Sequence, residues 1–304
     1  MRSSPSACAT STTTEHMACR PLLRAVALLL LCTALSSCTS LFLHPDHQAY
    51  FPGHGPGTPA EDVWIATPEG PRLHALFLPA TTTPRATLLF LHGNAENLSS
   101  HVHAVTWLPA QGYNVLALDY RGYGRSEGRA SVDRVHEDAR LALRWLLARD
   151  GEDPLIVYGQ SLGASVALNL VARSDAPTRQ RIRAVIADSG FARYRGIARE
   201  KLDQSWLTWP LQWPLSLLIS DAWSPLAVVD RISPIPLLLI HGERDAVVPP
   251  HHSEALYQRA GEPKTLWRIP GGRHIDAIRR DDVRARLLDF LAQASSRACA
   301  APPP

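Results

Sequence analysis

The sequence predicts an α/β domain in which one mostly parallel, twisted β-sheet is flanked by helices. Short apolar runs alternate along the chain with longer segments of helical periodicity, and this alternation is typical of repeated strand–helix units. Most of the runs are continuously apolar, as expected for parallel strands that are covered on both faces. Six such strands are expected, at residues 86–93, 113–120, 154–159, 183–190, 235–242 and 264–270.

An antiparallel hairpin is expected before these strands. Residues 61–67 and 72–80 have the composition of two strands, and a Pro-Glu-Gly turn signal separates them. A long helix is predicted over residues 133–150, because one stripe of it is apolar and the opposite face is charged. The apolar stripe consists of Val135, Ala139, Ala142, Trp145 and Leu146.

An insertion at about 191–232 separates the fourth and fifth of the six strands. It is far longer than a normal connection in an α/β domain, and it carries Trp206, Trp209 and Trp213 among leucines and prolines. Because it leaves the carboxyl edge of the sheet, where such domains build their sites, we expect a helical lid whose tryptophans contact the substrate. An extra helical layer packed on the core is the alternative, and the two interpretations are compatible.

The N-terminal segment has the features of a targeting signal. Arg20 and Arg24 precede an apolar run at 25–35, which is shorter than the ~20 residues of a membrane span but long enough for a signal sequence. The Leu-Ser-Ser-Cys sequence that ends at Cys38 resembles the lipobox of bacterial lipoproteins, in which that cysteine receives lipid. We therefore expect residues 1–38 to be a lipoprotein signal peptide. An uncleaved anchor helix and an ordinary secretory signal are the alternatives.

The rest of the chain divides into a tether at 39–60, a domain at 61–294 and a disordered tail at 295–304. Pro, Gly and small residues dominate the tether and the tail, although apolar residues of the tether can pack on the domain. Met17 is an alternative translation start. Cys299 would be the one free thiol of the mature chain, so neither a disulfide framework nor a Cys-rich zinc site is expected. The net charge of +3 comes from dispersed residues, which does not indicate a nucleic-acid partner.

The sequence Gly-Gln-Ser-Leu-Gly at residues 159–163 places Ser161 between a predicted strand and a predicted helix. This is the G-x-S-x-G pattern of a nucleophile elbow, in which the serine occupies a sharp turn with its hydroxyl exposed. A serine in an ordinary tight turn could give the same five letters by chance. The flanking strand and helix therefore carry the prediction that Ser161 is a nucleophile.

A nucleophilic serine needs a histidine base and a carboxylate that orients the histidine. Asp245 and His274 follow the last two predicted strands, and their order after Ser161 fits the sequence Ser, Asp, His. Both lie at carboxyl ends of parallel strands, where an open α/β sheet builds its site. Asp188 is the main alternative for the acid, and Glu243 is a lesser one.

Other histidines are expected to have structural or solvent-exposed positions. His136 has the spacing of a helix-surface residue, and His251 and His252 begin a helix with their side chains toward solvent. His241 lies at a strand end, where a structural role is expected. The glycine-rich stretch that contains Ser126 lacks the spacing of a phosphate-binding loop, so we interpret it as a structural turn without a nucleophile.

Two backbone N–H groups are expected to bind the oxyanion of the reaction. One belongs to Leu162, directly after the serine, and the other belongs to Asn94, in the loop that follows the first parallel strand. Ala95 is the alternative to Asn94. Loss of one such donor typically lowers turnover by about 100- to 1000-fold.

Five stretches carry a resemblance to a known family. They read LLFLHGNAEN, NVLALDYRGYGRSEG, IVYGQSLGASVAL, SPIPLLLIHGERDAVVP and GGRHID. In this order they resemble the serine-aminopeptidase-like branch of the α/β-hydrolase superfamily, which includes bacterial lipoprotein hydrolases and eukaryotic lipid and acyl-protein esterases. The likeness covers about residues 61–291 and implies an α/β-hydrolase fold, with Ser161 as nucleophile, Asp245 as acid and His274 as base. Ala164 departs from the commoner glycine at that position.

The expected function is that of a membrane-anchored serine hydrolase that cleaves acyl esters or thioesters through an acyl-enzyme. A serine aminopeptidase-type amide hydrolase and an inactive envelope binding protein are the alternatives. No metal or organic cofactor is expected, and the expected partners are a small-molecule or lipid acyl substrate and the membrane. Because Thr39 follows Cys38, we expect the outer membrane of a bacterial cell envelope, with the enzyme facing the periplasm.

Overall fold

A single eight-stranded sheet forms the centre of the computed structural model, which describes residues 42–51, 59–149, 153–204, 206 and 208–296. The strands are β1 (Glu61–Ala66), β2 (Arg72–Leu78), β3 (Ala86–Leu91), β4 (Tyr113–Leu118), β5 (Leu155–Gln160), β6 (Ile182–Asp188), β7 (Leu237–Gly242) and β8 (Lys264–Ile269). Their order across the sheet is β1-β2-β4-β3-β5-β6-β7-β8. Strand β2 is antiparallel to both of its neighbours. The other six strands, β4, β3, β5, β6, β7 and β8 in their order across the sheet, are parallel to one another. The predicted hairpin and the six predicted parallel strands are confirmed.

The register of the sheet aligns the carboxyl ends of its central strands. Gly159 of β5 lies beside Leu91 of β3 and Ala187 of β6, and Ala187 lies beside Leu239 of β7. The residues that follow these positions therefore meet at one edge of the sheet. This edge carries the loops in which the sequence places its candidate site.

Helices cover both faces of the sheet. They are α1 (Leu98–His101), α2 (Val132–Arg149), α3 (Leu162–Ala172), α4 (Ala176–Arg181), α5 (Tyr194–Asp203), α6 (Gln212–Ser216), α7 (His251–Arg259) and α8 (Asp281–Ser296). Helices α2 and α3 contribute to the apolar layer on one face, and α1 and α8 contribute to the layer on the other. Strands between two apolar layers are apolar on both sides, which explains the continuous runs in the sequence.

Helix α2 confirms the predicted apolar stripe but not the prediction for His136. Val135, Ala139 and Ala142 are buried as expected. His136 is buried as well, and its ring stacks on that of Trp223 at 4.2 Å between centroids. Burial lowers the pKa of His136 to about 3. The prediction of a surface position is wrong because the insertion, which contains Trp223, covers this side of the helix.

The insertion between β6 and β7 is helical. It contains α5, α6 and short 3₁₀ turns at Trp209–Leu211, Pro225–Ala227 and Val229–Ile232. Inner residues such as Phe191 and Ile197 join the apolar layer on the α3 face of the sheet. The insertion thus packs on the core and also extends over the carboxyl edge of the sheet.

Residues 42–51 form an irregular segment that lies against the domain. Leu43 is buried in the core, and the ring of Phe42 packs edge-on against Phe191. Residues 1–38, including Cys38, and the remaining tether residues 39–41 and 52–58 lie outside the described residues, as do residues 297–304 of the predicted tail. None of the helices that the structure describes combines the length and the apolar character required to cross a membrane.

Candidate active site

Ser161 occupies a strained turn between β5 and α3. Its backbone has a positive φ, with φ 55° and ψ −115°. Residues other than glycine rarely adopt this conformation. Its N–H donates to the carbonyl of Asp188 at 2.8 Å, which fixes the turn to the neighbouring strand. A Cβ at Gly159 would lie 2.0 Å from the Gly163 carbonyl oxygen, and one at Gly163 would lie 2.0 Å from the Leu91 carbonyl oxygen. Both glycines are therefore sterically required, as expected for a nucleophile elbow.

The structure brings Ser161, His274 and Asp245 together in one hydrogen-bonded chain. The Nε2 atom of His274 lies 3.0 Å from the Ser161 hydroxyl, and its Nδ1 atom lies 2.7 Å from a carboxylate oxygen of Asp245. An ionised carboxylate only accepts hydrogen bonds, so this network assigns the proton to Nδ1. Nε2 is then free to accept the proton of the serine hydroxyl, which is the arrangement that general-base catalysis requires.

Asp245 is held in its ionised form. Burial by itself raises the pKa of this carboxyl, but hydrogen bonds from His241 and His274 and from the Val248 N–H outweigh burial and hold the pKa well below its usual range. The N–H groups of Val247 and Val248 both donate to one carboxylate oxygen at 2.8 Å. The carboxylate is therefore fixed in place as well as charged.

The two alternative acids do not contact His274. Asp188 is fully buried, where it accepts hydrogen bonds from Gln160 at 3.0 Å and from the Tyr158 hydroxyl at 3.4 Å. Burial raises the pKa of Asp188. Its side chain binds Gln160 and its carbonyl binds the N–H of Ser161, so Asp188 supports the turn that carries the serine. Glu243 is exposed to solvent.

The candidate oxyanion donors lie beside the serine. Leu162 is the first residue of α3, and its N–H has no acceptor among the described residues. The positive end of the α3 dipole points in the same direction and favours a negative charge there. Gly93, Asn94 and Ala95 line the same cavity as Ser161, so the loop after β3 supplies the second side of the predicted pocket.

The loop that carries His274 is held by a contact that the sequence did not indicate. Ile275 has a left-handed backbone with φ 49°, an uncommon conformation for a β-branched residue. Its N–H donates to the hydroxyl of Ser189, which directly follows β6. Ser189 is itself left-handed, with φ 54°. Its position after a strand end was the only signal in the sequence, and many serines share that position.

A cavity of about 840 Å³ opens from Ser161 beneath the insertion. Apolar side chains dominate its lining, and the insertion contributes Ile197, Ala198, Leu202, Leu215, Leu218 and Ile219. Trp206, Trp209 and Trp213 do not line the cavity. They lie on the outer side of the insertion with exposed fractions of 87%, 58% and 64%, whereas Leu215, Leu218 and Ile219, which follow them in the sequence, line the cavity. The structure therefore places these three tryptophans outside the cavity in which they were expected.

Glu200 connects the insertion to α7 through two histidines. Its carboxylate oxygens lie 3.2 Å from Nε2 of His251 and 3.1 Å from Nε2 of His252. His252 is buried, contrary to the prediction, because α5 packs over it. Its Nδ1 accepts the N–H of Ala192 at 3.2 Å, so Nε2 carries the proton and donates to Glu200. These three side chains are close enough to hold a metal ion, but a protonated Nε2 has no lone pair for a metal.

The sheet order and the position of the serine after β5 are the arrangement that defines α/β hydrolases, and the chain is of that class. Residues 82–215 and 212–275 match the family model described as serine aminopeptidase, S33. The chain is 39% identical to the uncharacterized protein YfhR of Escherichia coli K12 over 264 residues. This aligned region covers 84% of this chain and 87% of YfhR. It therefore belongs to the serine-aminopeptidase-like branch of the α/β-hydrolase superfamily.

More distant relatives share the domain. The α/β hydrolase domain-containing protein WAV2 of Arabidopsis thaliana is 33% identical over 234 residues, which cover 71% of this chain and 72% of WAV2. The solved Pyrococcus furiosus esterase Pf2001 is 22% identical, with a TM-score of 0.68 over 84% of this chain and 100% of Pf2001. A puromycin-hydrolyzing peptidase of Mycobacterium tuberculosis is 21% identical, with a TM-score of 0.59 over 82% of this chain and 41% of that chain. At these identities the likeness to the two solved structures shows the fold.

Proposed function

We propose that the protein is a serine hydrolase that cleaves acyl esters or thioesters, with Ser161 as nucleophile, His274 as base and Asp245 as the acid that orients His274. The hydrogen-bonded chain of these three side chains, which opens into an apolar cavity, is the observation that carries the proposal. The family to which the chain belongs supports hydrolysis. No metal or organic cofactor is needed for this chemistry.

The reaction follows from the geometry. The Ser161 oxygen forms a bond to the acyl carbon while its proton passes to Nε2 of His274. The N–H groups of Leu162 and Asn94 hold the negative oxygen of the tetrahedral intermediate. The intermediate collapses, the alcohol or thiol takes the proton from His274, and the acyl group remains on the serine. Water then attacks the acyl carbon with His274 as base, the acid leaves, and the proton returns to the serine oxygen.

The cavity lining supports an apolar acyl group. Among the described residues that line the cavity, Glu96 is the single carboxylate, and Lys201 adds a positive charge. An aminopeptidase needs negative or carbonyl groups that bind the amino terminus of its substrate, so this balance favours an ester or a thioester over an aminoacyl amide. Amide hydrolysis is the second candidate, since the matching family model is described as a serine aminopeptidase.

A series of acyl esters of increasing chain length tests the proposed substrate class. Burial of each methylene contributes about 0.8 kcal/mol, so kcat/KM is expected to rise by about fourfold per CH₂ until the cavity is filled. An aminoacyl amide measured in parallel is expected to be a poor substrate. Exclusive cleavage of the amide would overturn the esterase assignment.

The cavity can be shortened by a single substitution. Leu218→Trp places a larger side chain in the lining, and we expect at least a tenfold loss of kcat/KM for long-chain esters with short-chain esters little affected. Trp206→Ala is the matched control, because Trp206 lies outside the cavity. Equal losses for short and long chains in Leu218→Trp, or a chain-length shift in Trp206→Ala, would contradict the assignment of this cavity to the acyl chain.

We also propose that Cys38 is acylated and anchors the enzyme in a bacterial cell envelope, with the outer membrane as the site and the periplasm as the side it faces. The apolar run at 25–35 and the Leu-Ser-Ser-Cys sequence support this anchor. Metabolic labelling with a fatty acid is expected to mark the full-length protein and to disappear in Cys38→Ala. Labelling that persists in this variant would refute the lipobox interpretation.

The remaining alternative is an inactive hydrolase fold that acts as a binding protein in the envelope. It predicts no turnover of any acyl ester and no reaction with a serine-directed phosphonate. The hydrogen-bonded chain of serine, histidine and aspartate favours the enzyme, because it ends on a serine hydroxyl that lines a cavity open to a substrate.

A further inference from the structure

The segment at 42–51, named the strap here, lies directly on the loop at 93–97 that carries the second oxyanion donor. We propose that the strap is a positioning element for the reaction, and that the side chain of Asn94 holds it to the loop. This inference rests on the proposed hydrolase function, and it assigns a role in turnover to residues outside the G-x-S-x-G, Asp245 and His274 motifs.

The side-chain amide of Asn94 makes two hydrogen bonds to the backbone of the strap, one as donor and one as acceptor, as the backbone of a neighbouring strand would. Its nitrogen donates to the carbonyl of Phe42 at 2.7 Å, and its oxygen accepts the N–H of His44 at 3.1 Å. The hydroxyl of Tyr123 lies 3.0 Å from both the carbonyl and the side-chain oxygen of Asn94. The residue whose backbone is proposed to bind the oxyanion is therefore fixed from two sides through its side chain and its carbonyl.

The other end of the loop is tied to the strap in the same way. The amide nitrogen of Asn97 donates to the carbonyls of Asp46 and Gln48 at 3.1 and 2.8 Å. The Asn97 side-chain oxygen accepts the N–H of Ser99 at 2.9 Å and so caps α1. The N–H of Tyr50 donates to the Ser99 hydroxyl at 3.0 Å. Two asparagines of the sequence Gly-Asn-Ala-Glu-Asn thus connect the loop to the strap.

The loop needs such support. Glu96 has a left-handed backbone with φ 61°, a conformation that persists only when its surroundings hold it. A backbone oxyanion donor acts because it is fixed before the reaction begins. Leu43 is buried, and Phe42 packs on Phe191 and Tyr194, so the strap is itself fixed to the core. The strap therefore transmits the rigidity of the core to the loop.

Two substitutions in the full-length chain break the same hydrogen bond from opposite sides. Asn94→Ala keeps the backbone N–H of residue 94 but removes both side-chain bonds to the strap. His44→Pro removes the N–H that Asn94 accepts, and His44→Ala removes the same imidazole but keeps that N–H. The comparison of His44→Pro with His44→Ala therefore tests the backbone of residue 44, including the N–H that Asn94 accepts, separately from the loss of the imidazole.

We expect Asn94→Ala to lower kcat for the best ester by about tenfold, less than the 100- to 1000-fold that follows loss of a whole donor, with KM within about twofold. The kcat of His44→Pro for the same ester is expected to be lower than that of His44→Ala by a similar factor. A trifluoromethyl ketone, whose adduct carries an oxyanion, should bind more weakly by the same factor as kcat/KM falls. The double variant Asn94→Ala with His44→Pro should lose little beyond Asn94→Ala alone, because both changes remove one shared bond.

Hydrogen exchange separates this proposal from the proposed function. Amides of residues 93–97 should exchange faster in Asn94→Ala and in His44→Pro than in His44→Ala, whether or not an ester is turned over. Unchanged exchange, or wild-type kcat with only a lower Tm, would show that the strap has a purely structural role. Absence of turnover and of phosphonate labelling in the wild-type protein would instead overturn the proposed hydrolase function.

Discussion

Ser161→Ala is expected to lower kcat for ester hydrolysis by about 10⁴- to 10⁶-fold, because the substitution removes the atom that forms the acyl bond. Alanine adopts the left-handed backbone of this turn no more readily than serine does, and the turn is fixed by the Asp188 carbonyl and the two flanking glycines. The fold should therefore be retained, and a Tm close to that of the wild type should accompany the loss of activity.

The matched control for this loss is Ser220→Ala. Ser220 is an exposed serine of the insertion that does not line the cavity, and its substitution should leave kcat within about twofold. A Ser161→Ala variant that retains more than about 1% of wild-type kcat would contradict nucleophilic catalysis by this residue, since other means of catalysis on this scaffold leave only a small residual rate.

Asp245→Asn is expected to lower kcat by about 10⁴-fold while the geometry is retained. An amide in this position can donate to Nδ1 of His274, which favours the tautomer with the proton on Nε2. That nitrogen lies 3.0 Å from the Ser161 hydroxyl and could no longer accept its proton. Single-turnover measurement of the acylation rate checks this, with Glu243→Gln as the exposed control. Equal losses in the two variants would contradict the assignment of Asp245.

The same substitution should alter the dependence of stability on pH. Hydrogen bonds hold the pKa of Asp245 well below its ordinary value despite burial, so the folded protein binds this proton less readily than the unfolded chain. The resulting stability is present above about pH 4, the ordinary pKa of an aspartate, and is lost as pH falls toward the depressed pKa. Between pH 7 and pH 3, Tm should fall less steeply in Asp245→Asn than in the wild type.

Local chemistry made much of the fold predictable. Parallel strands covered on both faces must be continuously apolar, and the runs at 86–93 and 235–242 end where β3 and β7 end within a few residues. The elbow was equally accessible, because two glycines around Ser161 are required by contacts shorter than any Cβ allows. The proximity of Ser161, His274 and Asp245 followed from one principle, since the carboxyl ends of parallel strands meet at one edge.

Contacts between distant segments account for what the sequence did not indicate. His136 has the spacing of a surface residue on α2, and only the fold of the insertion places Trp223 and Tyr194 against it. The tryptophans of the insertion were expected to face the substrate, yet which side of a short helix faces inward depends on what lies beneath it. In the same way, nothing local to Asn94 indicates that Phe42 and His44 would pair with its side chain.

The most direct test of the central claim is the position of a fluorophosphonate adduct. We expect wild-type protein to gain one phosphonyl group, mapped by peptide mass spectrometry to Ser161, and we expect Ser161→Ala to gain none. An adduct on another residue, labelling that is unchanged in Ser161→Ala, or no adduct on folded wild-type protein would contradict the account of this site as that of a serine hydrolase.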